Sequence, residues 1–402
     1  MTITASSVAS EGKQGQPPRR VVVLGATGSV GRSTAVVLSR HPDRFEVVAL
    51  AGGSDVAALA TTAKVLRAGF VALADPDGYA SLKDALARTG IEVAAGPDAV
   101  VEAATRASDV VVAAIAGTAG VRSTHAALKA GRTVALANKE TLICAGGPVM
   151  RTVKATGATV LPLDSEHNAI FQALGGASAS SIERMVLTAS GGPFRTWDSA
   201  RIANATVAEA LKHPNWEMGP KVTIDSASLM NKGLELIEAH YLFGVAAEQL
   251  DIVVHPQSVV HGLVTFADGS VAAVMALPDM RVPITHCLAY PDRIESGARK
   301  LDLAAIGTLT FEEPDLARFP ALQLAKDALM TGRGLATVLN AANEIVVEGF
   351  LRGRLRFGQM AGLVDRVCQA ALADGTAREA DSVEDALTID EITRERTALL
   401  IA

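Results

Sequence analysis

The strongest constraint on this chain is Gly25-Ala26-Thr27-Gly28-Ser29-Val30-Gly31, set between an apolar run and an amphipathic stretch. Glycines in a strand-to-helix turn allow a tight reversal and the close approach of a pyrophosphate. The helix start behind them offers free N–H groups and the positive end of its dipole. An ordinary turn is the plainer alternative, but the strand–loop–helix context favours a dinucleotide site. The same rhythm continues downstream. Val21–Gly25, Phe45–Ala51, Phe70–Ala74, Ile91–Ala95, Asp109–Ala113 and Thr133–Ala137 read as short strands. Ser29–Arg40, Val56–Arg67, Gly78–Arg88 and Val121–Ala130 read as helices between them. Buried apolar strands alternating with helices predict an α/β unit, a Rossmann-like parallel sheet doubly wound by helices, over 20–163. The second strand ends Leu50-Ala51-Gly52-Gly53-Ser54, without the acid that NAD enzymes place on the ribose. That leaves room for the extra phosphate of NADP, although Asp55 is close by.

A length of 402 residues exceeds one ordinary core, so further domains follow. Gly-rich loops and an Asp268-Gly269 turn between Val259–Phe266 and Val271–Leu277 predict an α+β second domain, 164–289, with a hairpin. A proline- and charge-rich connection, 290–320, leads to a C-terminal helical bundle, 321–402. Its helices read as Ala321–Met330, Leu335–Arg352, Met360–Ala373 and Ile389–Leu400. Residues 1–19 are polar and read as a disordered leader rather than a signal peptide. No apolar run is long enough to span a membrane.

Net charge is −6 and aromatics are 4%, which speaks against nucleic acid or anionic lipid as a partner. A phosphorylated small molecule would need a local basic site. Cys144, Cys287 and Cys368 are too few and too scattered for a disulfide framework or zinc cluster, and they predict a reducing cytoplasm.

Four polar segments are candidates for chemistry. Asn138-Lys139-Glu140 follows the sixth strand, where open sheets bind ligands; a helix cap with surface charges is the bland alternative. Asp164-Ser165-Glu166 places two carboxylates close enough to converge on a hard cation such as Mg²⁺ or Mn²⁺, or else simply caps a helix. Ser190-Gly191-Gly192 can present a hydroxyl and backbone N–H groups to a phosphate, or serve only as a turn. The longest segment holds His213-Pro214-Asn215-Trp216-Glu217-Met218-Gly219, Asp225-Ser226 and Asn231-Lys232-Gly233-Leu234-Glu235. A helix starting near Leu229 puts Asn231, Lys232 and Glu235 on one face. The alternative there is a surface ion pair. The Trp216 loop reads as a lid or as a loop pinned to the core.

These segments resemble the 1-deoxy-D-xylulose 5-phosphate reductoisomerase family. The resemblance runs from Val21 to the C-terminus. It is carried by LGATGSVG (24–31), ALANKE (135–140), LDSEHNAIFQ (163–172), LTASGGPFR (187–195), HPNWEMG (213–219), IDSASLMNKGLELIEA (224–239) and PDMRVPI (278–284). It implies a homodimer of three-domain chains that uses NADPH and one divalent cation, Mg²⁺ or Mn²⁺ with Co²⁺ as a further option. The implied metal ligands are Asp164, Glu166 and Glu235. The implied substrate residues are Lys139, Ser165, Glu166, Ser190, His213, Ser226, Asn231, Lys232 and Glu235. Among them Lys139, Glu166 and His213 carry catalysis, with Glu166 the candidate for proton removal, a role that competes with metal binding. The implied cofactor residues are Thr27, Gly28, Ser29, Val30, Asn138, Glu140 and Gly219, with Gly52, Gly53 and Ser54 aligned to the 2′-phosphate loop. The expected reaction rearranges and reduces 1-deoxy-D-xylulose 5-phosphate to 2-C-methyl-D-erythritol 4-phosphate in isoprenoid biosynthesis. Two other classes compete: a thiol-dependent aspartate-semialdehyde dehydrogenase, which needs a reactive cysteine, and a non-enzymatic dinucleotide sensor.

Overall fold

Runs of Val, Ala and Leu without interleaved polar residues form the interior of a seven-stranded sheet. The computed structural model describes residues 17–216 and 218–401. Most of the expected leader, residues 1–16, lies outside the described residues, as does Glu217 of the 213–219 loop. The strands are β1 (Arg19–Leu24), β2 (Phe45–Gly52), β3 (Phe70–Leu73), β4 (Glu92–Ala95), β5 (Val110–Ala113), β6 (Thr133–Leu136) and β7 (Thr159–Pro162). Helices α1 (Ser29–Arg40), α2 (Val56–Leu66), α3 (Tyr79–Ala85), α4 (Pro97–Thr105), α5 (Val121–Lys129) and α6 (Glu140–Thr156) alternate with them. The order is β4-β3-β2-β1-β5-β6-β7, every pair parallel. Alternate residues feed opposite cores: Val21, Val23, Val110 and Val112 pack on one face, Val22, Leu24, Val111 and Ala113 on the other. The doubly wound unit is therefore present, and α1 has the expected bounds. Helix α4 was not read from the sequence.

The order reverses beside β1, the switch point where open sheets bind ligands. Two glycines are obligatory there. Gly25 has φ +83°, and a Cβ on it would lie 2.4 Å from the Ala114 carbonyl oxygen. A Cβ on Gly31 would lie 2.1 Å from the Gly25 carbonyl oxygen.

Cys144 lies inside α6. Pro148 does not end that helix, although it lacks the N–H that would bond the Cys144 carbonyl. That oxygen accepts instead from Thr337 Oγ1 at 2.8 Å, and the helix bends at Ala145.

Past β7 the chain forms α7 (Ser165–Leu174), β8 (Ile182–Ala189), two short helices α8 (Ser199–Ala203) and α9 (Val207–Ala210), α10 (Pro220–Ala227) and α11 (Met230–Phe243). β9 (Leu250–Val254), β10 (Val260–Phe266) and β11 (Val271–Met275) complete a second sheet in the order β11-β10-β8-β9. β10 runs antiparallel to both β8 and β11, and Gly269 takes φ +83° in the hairpin turn, as Asp-Gly predicts. Gly262 lets α7 approach β10: a Cβ there would lie 2.9 Å from the Glu166 carbonyl oxygen.

Helix α12 (Arg281–Ala289) returns to the first sheet, and its Ile284, Cys287 and Leu288 join the core around Val21 and Val23. The connection beyond it is irregular apart from α13 (Leu303–Ile306). Helices α14 (Pro320–Thr331), α15 (Leu335–Leu351), α16 (Met360–Asp374) and α17 (Val383–Leu399) end the chain. Leu322, Val338 and Val346 from these helices share one core with Leu187, Ile224 and Leu234. Among the described residues no helix is long and apolar enough to cross a membrane.

Candidate active site

The carboxyl edge of the first sheet faces α7 and α11 across a cavity of about 210 Å³. The cavity touches Ser29, Val30, Lys139, Asp164, Ser165, Glu166, Ser190, His213, Gly219, Ser226, Asn231, Lys232 and Glu235. These were singled out from segments spread over most of the chain, and the fold brings them together.

Asp164 stands at the N-cap of α7 but makes no cap bond. Its Oδ2 accepts from Lys139 Nζ at 3.0 Å instead, so the capping explanation fails for its side chain. Lys139, at the end of β6, also donates to Asn231 Oδ1 at 2.9 Å and lies 3.6 Å from Glu235. Leu229 adopts the left-handed conformation (φ +60°) that separates α10 from α11 and starts a new helix. Asn231, Lys232 and Glu235 then share a face, as the spacing predicts. The pair of Lys232 with Glu235, at 2.7 Å, is no surface ion pair: the two residues are 7% and 1% exposed. Lys232 Nζ also bonds Glu166, and Asn231 bonds Glu235.

One oxygen from each of Asp164, Glu166 and Glu235 lies within 4.8 Å of the others. All three donors are hard oxygens, the donor type that a cation of the Mg²⁺ class takes. Three carboxylates face two ammoniums, Lys139 and Lys232, so one negative charge is unmatched. The electrostatics reflect this. Burial and then the Glu166 charge push the Glu235 carboxyl up to about 8. Burial works against the Asp164 carboxylate too, but the Lys139 ammonium overrides it and holds that group well below its usual range. Burial likewise opposes the Lys232 ammonium, yet Glu166 and Glu235 raise it above its ordinary value. The residues thus fit a divalent cation in donor type, charge and convergence.

His213, Trp216, Met218 and Gly219 line one side. His213 Nδ1 accepts from the Trp216 and Asn215 backbone N–H groups at 2.9 and 3.2 Å, so Nε2 carries the proton donated to Ser190 Oγ, 3.0 Å away. Ser190 Oγ also accepts from Gly192 N at 3.1 Å, which leaves its own proton for a ligand. Burial, and then Lys232, lower the imidazole to about 4 and keep it neutral. Asn215 ties the loop to Pro256 O and Ser258 Oγ at 2.8 Å each. Outside this loop, Ser190 also borders a groove of about 520 Å³, where Arg195 pairs with Glu312 and Arg201 lies over the Trp197 ring.

Thr27, Gly28, Gly52, Gly53, Ser54, Asn138 and Glu140 do not line the cavity. Gly28 caps α1, and Gly52 ends β2 on the same sheet edge, with Gly53 and Ser54 just beyond it. Asn138 points inward, donating to Ile115 O and Gly117 O at 2.6 and 2.9 Å and accepting from Thr141 N at 2.9 Å. The capping explanation therefore holds for Asn138, while its neighbour Lys139 faces the cleft. Glu140 is buried between Asn138 and Lys221.

Val222, Ser258, His261 and Met280 line the cavity without having been picked out. His261 was read only as part of a hairpin strand. Period-2 alternation would have shown which side it faces, but not that this side meets a cleft. The three cysteines are buried, and burial pushes the Cys287 and Cys368 thiols up to about 12 and Cys144 well above its usual value. That is the reverse of an activated thiol nucleophile.

The family model described as 1-deoxy-D-xylulose 5-phosphate reductoisomerase matches residues 21–146, and the one for its C-terminal domain matches 160–243. A third, described as DXP reductoisomerase C-terminal domain, matches 275–396. The 1-deoxy-D-xylulose 5-phosphate reductoisomerase of Bradyrhizobium sp. (strain BTAi1) is 53% identical over 383 residues, 95% of this chain and 94% of that protein. The Zymomonas mobilis enzyme of the same name, solved with NADPH, superimposes with a TM-score of 0.90 at 46% identity, over 96% of this chain and 99% of that one. A DOX-P reductoisomerase solved with NADPH, fosmidomycin and magnesium gives a TM-score of 0.90 at 42% identity, covering 95% and 98%.

Proposed function

This chain belongs to the 1-deoxy-D-xylulose 5-phosphate reductoisomerase family, and from that premise we propose its function. It converts 1-deoxy-D-xylulose 5-phosphate to 2-C-methyl-D-erythritol 4-phosphate, with NADPH and a divalent cation, in the non-mevalonate route to isoprenoids. The observation that carries the reading is the convergence of Asp164, Glu166 and Glu235 in one cavity with Ser29 and Val30 at the dinucleotide-type turn.

When bound, the cation supplies Lewis-acid polarisation of neighbouring ketone and hydroxyl oxygens, and NADPH supplies hydride. Asp164, Glu166 and Glu235 would hold the cation. The chain's own side chains do the rest. Lys139 stabilises oxyanion charge as the carbon skeleton rearranges. Ser190, Ser226, Asn231 and Lys232 hold the phosphate, and that remote binding fixes the reacting end in place. Lys232 supplies the phosphate's counter-charge once the oxygens of Glu166 and Glu235 are otherwise satisfied. His213, Trp216 and Met218 exclude water, so that the fragments recombine before escape. Ser29, Val30 and Gly219 bound the nicotinamide end. Thr27, Gly28, Asn138 and Glu140 shape the loops around the cofactor, and Gly52, Gly53 and Ser54 accommodate the 2′-phosphate.

We read the chain as a cofactor domain (20–163), a catalytic domain (164–289), a connection (290–320) and a helical domain (321–402). It works as a cytoplasmic homodimer and accepts Mn²⁺ as well as Mg²⁺. β11 supports the dimer: it is an apolar edge strand with Val271 56% exposed, which suits pairing with a second copy. The deciding assay follows NADPH absorbance with 1-deoxy-D-xylulose 5-phosphate and Mg²⁺. Oxidation should occur and stop with chelator; no oxidation from folded, cofactor-binding protein would overturn the reading.

A further inference from the structure

Behind the carboxylate cluster lies an ionisable pair that the proposed reaction does not use. His167 follows Glu166 on α7, and Glu238 lies one turn past Glu235 on α11; they are 0% and 1% exposed. His167 Nε2 is 2.8 Å from the Glu235 carbonyl oxygen. A carbonyl only accepts, so Nε2 carries a proton. The other nitrogen, Nδ1, is 3.3 Å from Glu238 Oε2. Among the described residues, neither Nδ1 nor either Glu238 carboxylate oxygen has a hydrogen-bond partner. A buried carboxylate and a buried ring nitrogen with nothing else to engage interact with each other or lose their solvation uncompensated. The pair is attractive as imidazolium with carboxylate and as imidazole with carboxylic acid.

Position gives this contact its consequence. Helix α7 carries Asp164, Ser165 and Glu166 at its start, while α11 carries Asn231, Lys232 and Glu235. The imidazole is bonded to the backbone of α11 at Glu235 itself, and its Nδ1 edge faces the Glu238 carboxylate. We propose that Glu238 is a positioning residue. Through His167 it locks α7 against α11 and so holds Asp164 and Glu166 at the distance from Glu235 that a single divalent cation requires. Outer groups that orient the residues around a metal typically change its affinity about 10- to 100-fold when lost. This inference rests on the cation-site reading above.

Mn²⁺ binding to the full-length protein, followed by electron paramagnetic resonance of the free ion, tests it without turnover. Glu238→Leu should weaken Mn²⁺ binding about tenfold or more. NADPH affinity, read by nucleotide fluorescence, should stay within about twofold. Glu238→Gln should restore most of the Mn²⁺ affinity, because its amide N–H can donate to Nδ1 while Nε2 keeps its proton. Wild-type Mn²⁺ affinity in folded Glu238→Leu, or equal losses in the Leu and Gln variants, overturns the proposal. Should Glu238→Leu fail to melt cooperatively, the double variant His167→Leu/Glu238→Leu removes the buried charges altogether. Wild-type affinity there overturns the proposal, and a tenfold loss supports it. Glu235→Gln separates the two readings. If it leaves Mn²⁺ binding intact, the cation site itself is wrong; if it abolishes binding while Glu238→Leu does not, only the positioning role fails.

Discussion

The two walls of the cleft are made of different material. The wall at the first sheet is backbone: Gly25, Gly31, the start of α1 and strand ends of Val, Ala and Leu. The opposite wall is side chain: Asp164, Glu166, Asn231, Lys232 and Glu235, largely out of water and linked to one another, with Lys139 reaching them from just past β6. A backbone wall is rigid and tolerant of what its side chains are, provided the glycines stay. A wall of buried charges depends on every partner, because removing one leaves another uncompensated.

The two walls should therefore fail differently, and the largest failure belongs to the charged wall. Glu235→Gln should lower Mg²⁺-dependent turnover by about three orders of magnitude and weaken the metal, since one of three charged ligands is gone. NADPH binding should be nearly unchanged. Normal turnover at limiting Mg²⁺ would remove Glu235 from the site. The mirror experiment is Gly31→Val. Its Cβ would enter the Gly25 carbonyl, 2.1 Å away, and relieving that clash at a cost of about 2–3 kcal/mol implies roughly 30- to 100-fold weaker NADPH binding. Mn²⁺ affinity should hold. If both variants lose both ligands, the walls are one cooperative unit and the contrast drawn here is false.

Lys232 tests what the charged wall is for. Losing one buried charge-assisted contact to a phosphate costs about 2–3 kcal/mol. Lys232→Ala should then raise the substrate KM about 30- to 100-fold. The same variant leaves Glu166 and Glu235 without their ammonium, so Mg²⁺ affinity should hold or tighten. An unchanged KM with unchanged kcat would take Lys232 out of the phosphate site.

The contrast also explains what the sequence made legible. Strand–helix alternation, the Gly25–Gly31 turn and the Asp268-Gly269 turn are local; α1 follows with its bounds, and β1 and the β10–β11 hairpin follow to within two residues. The carboxylates were legible as residue types and as a resemblance. Their burial was not: nothing near Lys232 in sequence tells that Ala325 of α14 packs against Gly233 beside it. The same applies to Asn138 and Lys139. Neighbours in a motif turn opposite ways, one into the loop at 115–117 and one into the cleft. His261 was missed because a strand residue carries no local mark of the cavity it faces, and Met280 was legible only as part of the PDMRVPI segment, not as a cavity residue. Helix α12 carries no sequence mark of its packing against β1, since its return to that core is a long-range event.

The smallest effect concerns the loop at His213, which borders the cavity and feels the charge of Lys232. His213 is lowered to about 4, first by burial and then by Lys232. Between pH 6.5 and 4 the unfolded chain takes up a proton that the folded protein refuses. This contribution to stability is therefore complete above about pH 6.5, falls as the pH drops toward 4, and levels off below. The ring is only half-buried, so solvent screening leaves about 1–2 kcal/mol of it. His213→Gln should remove that slope, making the fall in melting temperature from pH 7 to pH 5 shallower than in the parent protein. Protonation at Nδ1 would also break the bonds from Trp216 N and Asn215 N, so a ¹⁵N-imidazole titration should show a neutral ring with its proton on Nε2 throughout pH 5–8. A midpoint near the ordinary 6.5 would mean that Lys232 and the loop do not act on this ring. The loop would then be independent of the charged wall beside it.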